Sequence, residues 1–193
     1  MEMLSLFPTF VGVFSDIISE EERVDLIENI KSRECIPHQV FRGNGLSSHR
    51  TNNDFLSKDI LSRIQNSVDE YVETYGCTKQ KIKNYWFNVQ NENSVLTEHT
   101  HGESTISGAL YINVDDSCSL FFHNPNPYSY IIDKDPDKFT EFTYEYYWMR
   151  IKNCQLIIFP SWLKHGKNDV INSMNDRIAI SFNTNKNEHQ YQE

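Results

Sequence analysis

The chain contains no apolar stretch approaching the about 18–20 residues needed to cross a bilayer. Its N-terminus, MEMLSLFPTFVGVF, has no basic segment ahead of the apolar residues. A soluble, cytoplasmic protein with no membrane association is the expectation. Positive charge is also scarce: 18 Lys and Arg stand against 27 Asp and Glu, for a formal charge of −9. A phosphate-backbone binder needs a concentrated cationic surface, so nucleic acid is not an expected partner. A local basic pocket for a small anion remains compatible with this balance. Cysteine is sparse and scattered: Cys35, Cys77, Cys118 and Cys154 form no CxxC pair, which argues against a zinc knuckle or thioredoxin-type site. Buried or free thiols are expected. Internal repeats and low-complexity tracts are absent as well.

The 193 residues, 38% of them apolar, are enough for one core, and a single domain over 1–193 is expected. Residues 5–14 read as a first strand interrupted by Pro8. Ser19 and Glu22 fit a capping box, and Val24, Ile27 and Ile30 form an apolar stripe on the helix that follows. A polar stretch at 41–54 with two glycines reads as a lid or connecting loop. A second helix is expected over 55–75, with Leu61, Ile64, Val68, Tyr71 and Val72 on one side.

From there the pattern turns to strands, at 83–90, 106–114, 118–124, 142–151, 154–160 and 177–183. A Pro- and Asp-rich excursion separates the third of these from the fourth, and residues 184–193 read as a frayed tail. Two helices followed by many antiparallel strands make an α+β plan, a jelly roll with supporting helices at 1–80 and its β core at 84–183.

The triplet His99-Thr100-His101 lies just ahead of the alternating run ISGALYINV, and His165 follows in FPSWLKHG. Strand residues two apart share a face, so His99 and His101 can aim two imidazoles at one point, and the folded-back sheet can bring His165 there. Imidazole suits iron, zinc, copper and nickel. A bare HxH pair also arises by accident on a polar strand edge; its surroundings decide.

Those surroundings carry a resemblance. The run WFNVQ, TEHTHGESTISGALYINV, LFFHNP, QLIIFPSWLKHG, RIAISFN resembles the iron(II)/2-oxoglutarate-dependent oxygenases over about residues 84–183. More narrowly, it resembles the small oxygenases of phages and bacteria, including the prolyl-4-hydroxylase-like ones. The resemblance implies a double-stranded β-helix, an iron(II) cofactor and 2-oxoglutarate as cosubstrate. It also implies a hydroxylation yielding succinate and CO2, on a small molecule or a peptide side chain.

Carried over residue by residue, His99 is the first metal ligand and His165 the distal one. The family has a carboxylate at the middle position, where this chain has His101. Three imidazoles would leave a divalent metal one charge unit more positive than a set with a carboxylate. Glu103 is the alternative ligand by strand alternation, although Gly102 between them can break that alternation.

The resemblance also places a cation for the distal carboxylate of 2-oxoglutarate at Arg177, whose planar fork suits it. An exposed strand arginine is the competing reading. Alternation puts Ala179, Ser181 and Asn183 on the same side, so Ser181 can add a hydroxyl. Tyr111 and Asn88 are further candidates for that cosubstrate, Tyr111 equally a core aromatic with a polar tip. Trp86, Trp162 and the Tyr/Trp stripe at 144–148 read as packing, and His123 as structural or lining the substrate mouth. His38, His49 and His189 carry no pattern. Two other classes fit parts of the pattern: a cupin-like metal enzyme, given HxH with Pro160 and His165, and a jelly-roll binding protein without metal. In the cupin pattern a Glu follows the second histidine by four residues, and here Thr105 stands in that place.

Overall fold

A computed structural model describes residues 8–51, 54–126, 140 and 143–185. Among these residues, eleven strands and two helices follow in the order β1 (Gly12–Phe14), α1 (Glu20–Lys31), β2 (Ile36–Pro37), β3 (Phe41–Arg42), β4 (Gly45–Ser47), α2 (Lys58–Tyr75), β5 (Ile82–Gln90), β6 (Val95–Leu96), β7 (Ile106–Asn113), β8 (Ser119–His123), β9 (Tyr146–Arg150), β10 (Leu156–Pro160) and β11 (Arg177–Thr184). The expected first strand is reduced to Gly12–Phe14, and its first residues lie outside the described ones. The Pro/Asp-rich excursion and the tail beyond residue 185 also lie largely outside them.

The helix ends follow their local chemistry. At α1 the Ser19 hydroxyl accepts from the Glu22 N–H at 3.2 Å, and the Glu22 carboxylate accepts from the Ser19 N–H at 2.8 Å. The same carboxylate is gripped by Arg63 of α2, which ties the two helices together. Ser57 caps the start of α2, and Gly76 ends it at φ 77°, a left-handed conformation that glycine adopts freely. The α1 stripe is shifted from expectation: Leu26 and Ile30 are buried, Ile27 partly so, and Val24 faces solvent. The α2 stripe is as read, with Ile64, Val68, Tyr71 and Val72 buried and Leu61 partly covered.

Seven antiparallel strands form the larger sheet in the order β1-β10-β7-β11-β5-β4-β2. Its two faces sort by strand parity. Leu110, Ile112, Leu156, Ile158, Ile178, Ile180, Phe182 and Phe87 meet the helices in one apolar core. Tyr111, Ile157 and Phe159 turn the other way, into a second core with Leu120, Phe122 and Leu163.

The opposing layer is built from two short strand pairs, β3-β6 and β8-β9. Residues 164–167 join them: Lys167 N donates to Leu96 O at 3.1 Å, Gly166 N to Phe121 O at 3.0 Å, and His123 N to Lys164 O at 2.9 Å. The result is a second sheet lying across the first, and the fold is a double-stranded β-helix with two helices behind its larger sheet. The polar stretch 41–54 is less loop-like than expected, since it contributes β3 and β4. All four cysteines are unpaired, with Cys118 and Cys154 buried.

Candidate metal centre and its cavity

His99 and His165 face each other across the segment that joins the second sheet. They exchange two backbone hydrogen bonds, His99 N to His165 O and His165 N to His99 O, each 3.0 Å. Directly opposed residues in an antiparallel pair project from the same face, so the two imidazoles lie side by side, ring centroids 4.2 Å apart. Gly166 follows at φ 86°, and a Cβ there would stand 2.6 Å from the Thr97 carbonyl oxygen, so only glycine lets the chains approach this closely. His101 is held by its N–H, which donates to Ser161 O at 2.9 Å. Its ring stacks parallel to that of His165 at 5.1 Å.

Hydrogen bonding fixes the tautomers of two of these rings. His99 Nδ1 lies 2.8 Å from Thr97 O, and His165 Nδ1 lies 3.0 Å from Leu163 O. A carbonyl only accepts, so each Nδ1 carries the proton and each Nε2 offers a free lone pair. Burial pushes all three imidazoles below the usual histidine range, His101 to about 4, so they are neutral at pH 7. His165 Nε2 stands 3.3 Å from His101 Nε2, and ligand atoms of all three residues lie within 4.8 Å of one another. A backbone-anchored trio of neutral nitrogen donors, backed by the Phe159 ring 4.7 Å from His165, fits a divalent transition metal. Glu103 lies exposed on the turn after His101, outside the cluster though on the same cavity.

The trio opens into a cavity of about 400 Å³ between the two sheets, of the size that holds small ligands. Asn88, Tyr111, Arg177 and Ser181 line it together with the three histidines, as do Ala179 and Asn183. The alternation read for β11 therefore holds, with the odd residues facing the cavity and the even ones the helices. Asn88 Nδ2 donates to Ser181 Oγ at 3.0 Å. Burial pushes the Tyr111 phenol up to about 12, keeping it neutral and able to donate.

Arg177 is buried rather than an exposed strand arginine, and its partners are uncharged. Its guanidinium donates to Gln90 Oε1 and, at 3.4 Å, to the Ser119 carbonyl, while Nε has no partner among the described residues. Asn88 Oδ1 is likewise buried without one among these residues. A buried guanidinium without a carboxylate is costly, and an anionic ligand would relieve that cost.

Several residues of the cavity wall carry no readable signal in the sequence. Gln90 sits directly opposite Arg177 in the β5–β11 register, which spacing alone does not give. His38, Phe41, His49 and Arg50 reach the cavity from the segment between α1 and α2. Trp86 is buried, as a packing residue should be, yet it also lines the cavity; Trp162 is exposed instead. His123 lies on the outer face of the second sheet, 3.2 Å from Glu98, and not at the mouth. Tyr144, Tyr147 and Trp148 are exposed, so that stripe is not sheet packing among the described residues. His189 lies outside the described residues.

The structure resembles solved oxygenases across nearly its whole length. HygX from Streptomyces hygroscopicus, with nickel, 2-oxoglutarate and hygromycin B bound, superposes with a TM-score of 0.60 at 8% identity, covering 93% of this chain and 83% of HygX. A Pseudomonas putida prolyl-4-hydroxylase gives 0.62 at 11%, covering 92% and 93% of the two chains. The viral collagen prolyl hydroxylase of Paramecium Bursaria Chlorella virus-1, as its 2-oxoglutarate complex, gives 0.58 at 13%, covering 91% and 96%. No curated protein matches the sequence. Residues 84–183 match the profile of the family described as "Putative 2OG-Fe(II) oxygenase". That match spans more than half of the chain and sets aside the cupin-like and metal-free alternatives: the chain belongs to the iron(II)- and 2-oxoglutarate-dependent oxygenases.

Proposed function

We propose that His99, His101 and His165 hold iron(II), and that Arg177 binds the distal carboxylate of 2-oxoglutarate with Ser181, Tyr111 and Asn88 beside it. The observation that carries this reading is the pairing, in one cavity, of three neutral nitrogen donors with a buried guanidinium that has no carboxylate partner among the described residues. With both groups bound, the site supplies the oxidising chemistry that turns 2-oxoglutarate and O2 into succinate and CO2 and hydroxylates a substrate C–H bond. The protein's share is positional. The Thr97 and Leu163 carbonyls orient two of the ligand rings. Tyr111 and Arg177 are donors for a carboxylate, and Phe159, Leu120 and Ala179 keep the inner end apolar and short of water.

The primary substrate in this reading is a small molecule or a peptide side chain, and the protein works in the cytoplasm. The acidic net charge and the size of the cavity support such a substrate over nucleic acid. No helix among the described residues is long and apolar enough to cross a membrane. Metal analysis of the His165→Ala variant tests the ligand set. The variant should fold with an unchanged circular dichroism spectrum yet lose its iron, whereas iron content equal to that of the parent would sink the assignment.

A further inference from the structure

Beyond the metal trio, the cavity runs out to a wall built by the polar segment before α2. Rings line the way: His38 and His49 meet edge to face at 5.3 Å, His49 and Trp86 at 4.7 Å, and Trp86 and His101 stand 6.2 Å apart. This wall suits a flat, weakly polar body better than a flexible polar one. Arg50 stands at its exposed end and lines the same cavity. Among the described residues it has no carboxylate partner, in a chain whose acidic residues outnumber its basic ones. Burial, and after it the Arg50 charge, keep the neighbouring His49 imidazole below its usual range, so the fixed cation at this end is Arg50 itself.

The charge balance of the loaded cavity rests on the metal and cosubstrate reading given above. Three neutral imidazoles leave a divalent metal its full charge, which the 2-oxoglutarate dianion cancels. The wall adds two positive groups, Arg177 and Arg50, and one negative group, Glu103. The loaded cavity therefore stays one unit positive; a carboxylate in place of His101 would have removed that excess.

We propose that the primary substrate is a small organic anion, its carboxylate or phosphate paired with Arg50 and its flat body lying along Trp86 and His49. Arg50 is then a specificity-determining residue of the reaction, placed far enough out to leave the metal and Arg177 to their own ligands.

The test uses protein loaded with nickel(II), which is redox-inert here, and saturated with 2-oxoglutarate. Benzoate, phenyl phosphate, neutral benzamide and cationic benzylamine are titrated by calorimetry. Saturable binding of benzoate or phenyl phosphate, with none of benzamide or benzylamine, is expected, and the tighter of the two anions identifies the headgroup. Arg50→Gln, a surface change that spares the fold, should weaken the anion by about tenfold or more, the loss of one charge-assisted hydrogen bond. Its 2-oxoglutarate affinity should stay at the parent value. Equal binding of benzamide, no anion binding at all, or full anion affinity in Arg50→Gln overturns the proposal. If 2-oxoglutarate itself fails to bind the nickel-loaded parent, the cosubstrate assignment falls, and the charge argument falls with it.

Discussion

Replacing Arg177 with methionine should separate ligand binding from folding stability. In the protein, its guanidinium is buried, donates to Gln90 Oε1 and the Ser119 carbonyl, and leaves Nε unpaired among the described residues. For the apoprotein two effects oppose each other. Losing the donor strands the Gln90 oxygen at about 1–3 kcal/mol, while removing an unpaired buried charge returns a similar amount, on the order of 1–4 kcal/mol. The net change in folding stability should stay within about 1 kcal/mol, given that methionine fills much of the same volume. The cosubstrate has no such offset. Removing one partner of a desolvated, hydrogen-bonded charge pair costs about 2–5 kcal/mol, equivalent to roughly a 30- to several-thousand-fold rise in Kd. Calorimetry of the nickel-loaded variant with 2-oxoglutarate reads the second quantity, and urea unfolding of the apoprotein reads the first. Unchanged 2-oxoglutarate affinity would place the cosubstrate elsewhere. A loss of several kcal/mol in the apoprotein would show Arg177 to be structural and its neutral partners sufficient.

Gly108→Ala should destabilise the larger sheet by about 1–3 kcal/mol, because its Cβ would stand 2.5 Å from the Phe182 ring and 2.7 Å from the Ile157 carbonyl oxygen; thermal melting checks this, and a neutral result would mean that β7 and β11 separate easily. Acid should loosen the link between the two helices. Arg63, and after it the Ser19 N–H, hold the Glu22 carboxyl below its usual 4.5. A depressed carboxyl stabilises above its unfolded value and loses that contribution as pH falls below 4.5 through the folded one. Melting temperatures from pH 7 to 3 should therefore fall less steeply in Glu22→Gln than in the parent, and parallel curves would contradict the sign. Ser19→Ala removes the reciprocal cap and should cost about 1 kcal/mol, read by urea unfolding.

Much of this architecture is readable in the chain because long strands with one face on each core show strict alternation. The odd positions of β11 from Arg177 to Asn183, and the aliphatic even positions between them, are an instance. The paired helices are readable for a similar reason, through Ser19, Glu22 and the α2 stripe. Strands of two or three residues, such as β2, β3, β4 and β6, carry no period, and their partners lie far away in sequence. The same limit hides the outer cavity wall. His38, His49 and Arg50 acquire a place only when β4 docks on β5, and Gln90 meets Arg177 only through the β5–β11 register. One turn distinguishes His101 from Glu103. Gly102 and Glu103 form that turn, which ends the alternation and leaves the carboxylate exposed.

The central claim is that one cavity holds both the metal, on three histidines, and 2-oxoglutarate, on Arg177. Anaerobic titration of metal-free protein with iron(II) and then 2-oxoglutarate, followed by visible absorption, tests it most directly. The account predicts a metal-to-ligand charge-transfer band that needs both additions and is lost in His165→Ala and in His101→Ala. Iron binding with no band on adding 2-oxoglutarate, or a full band in either variant, would contradict it.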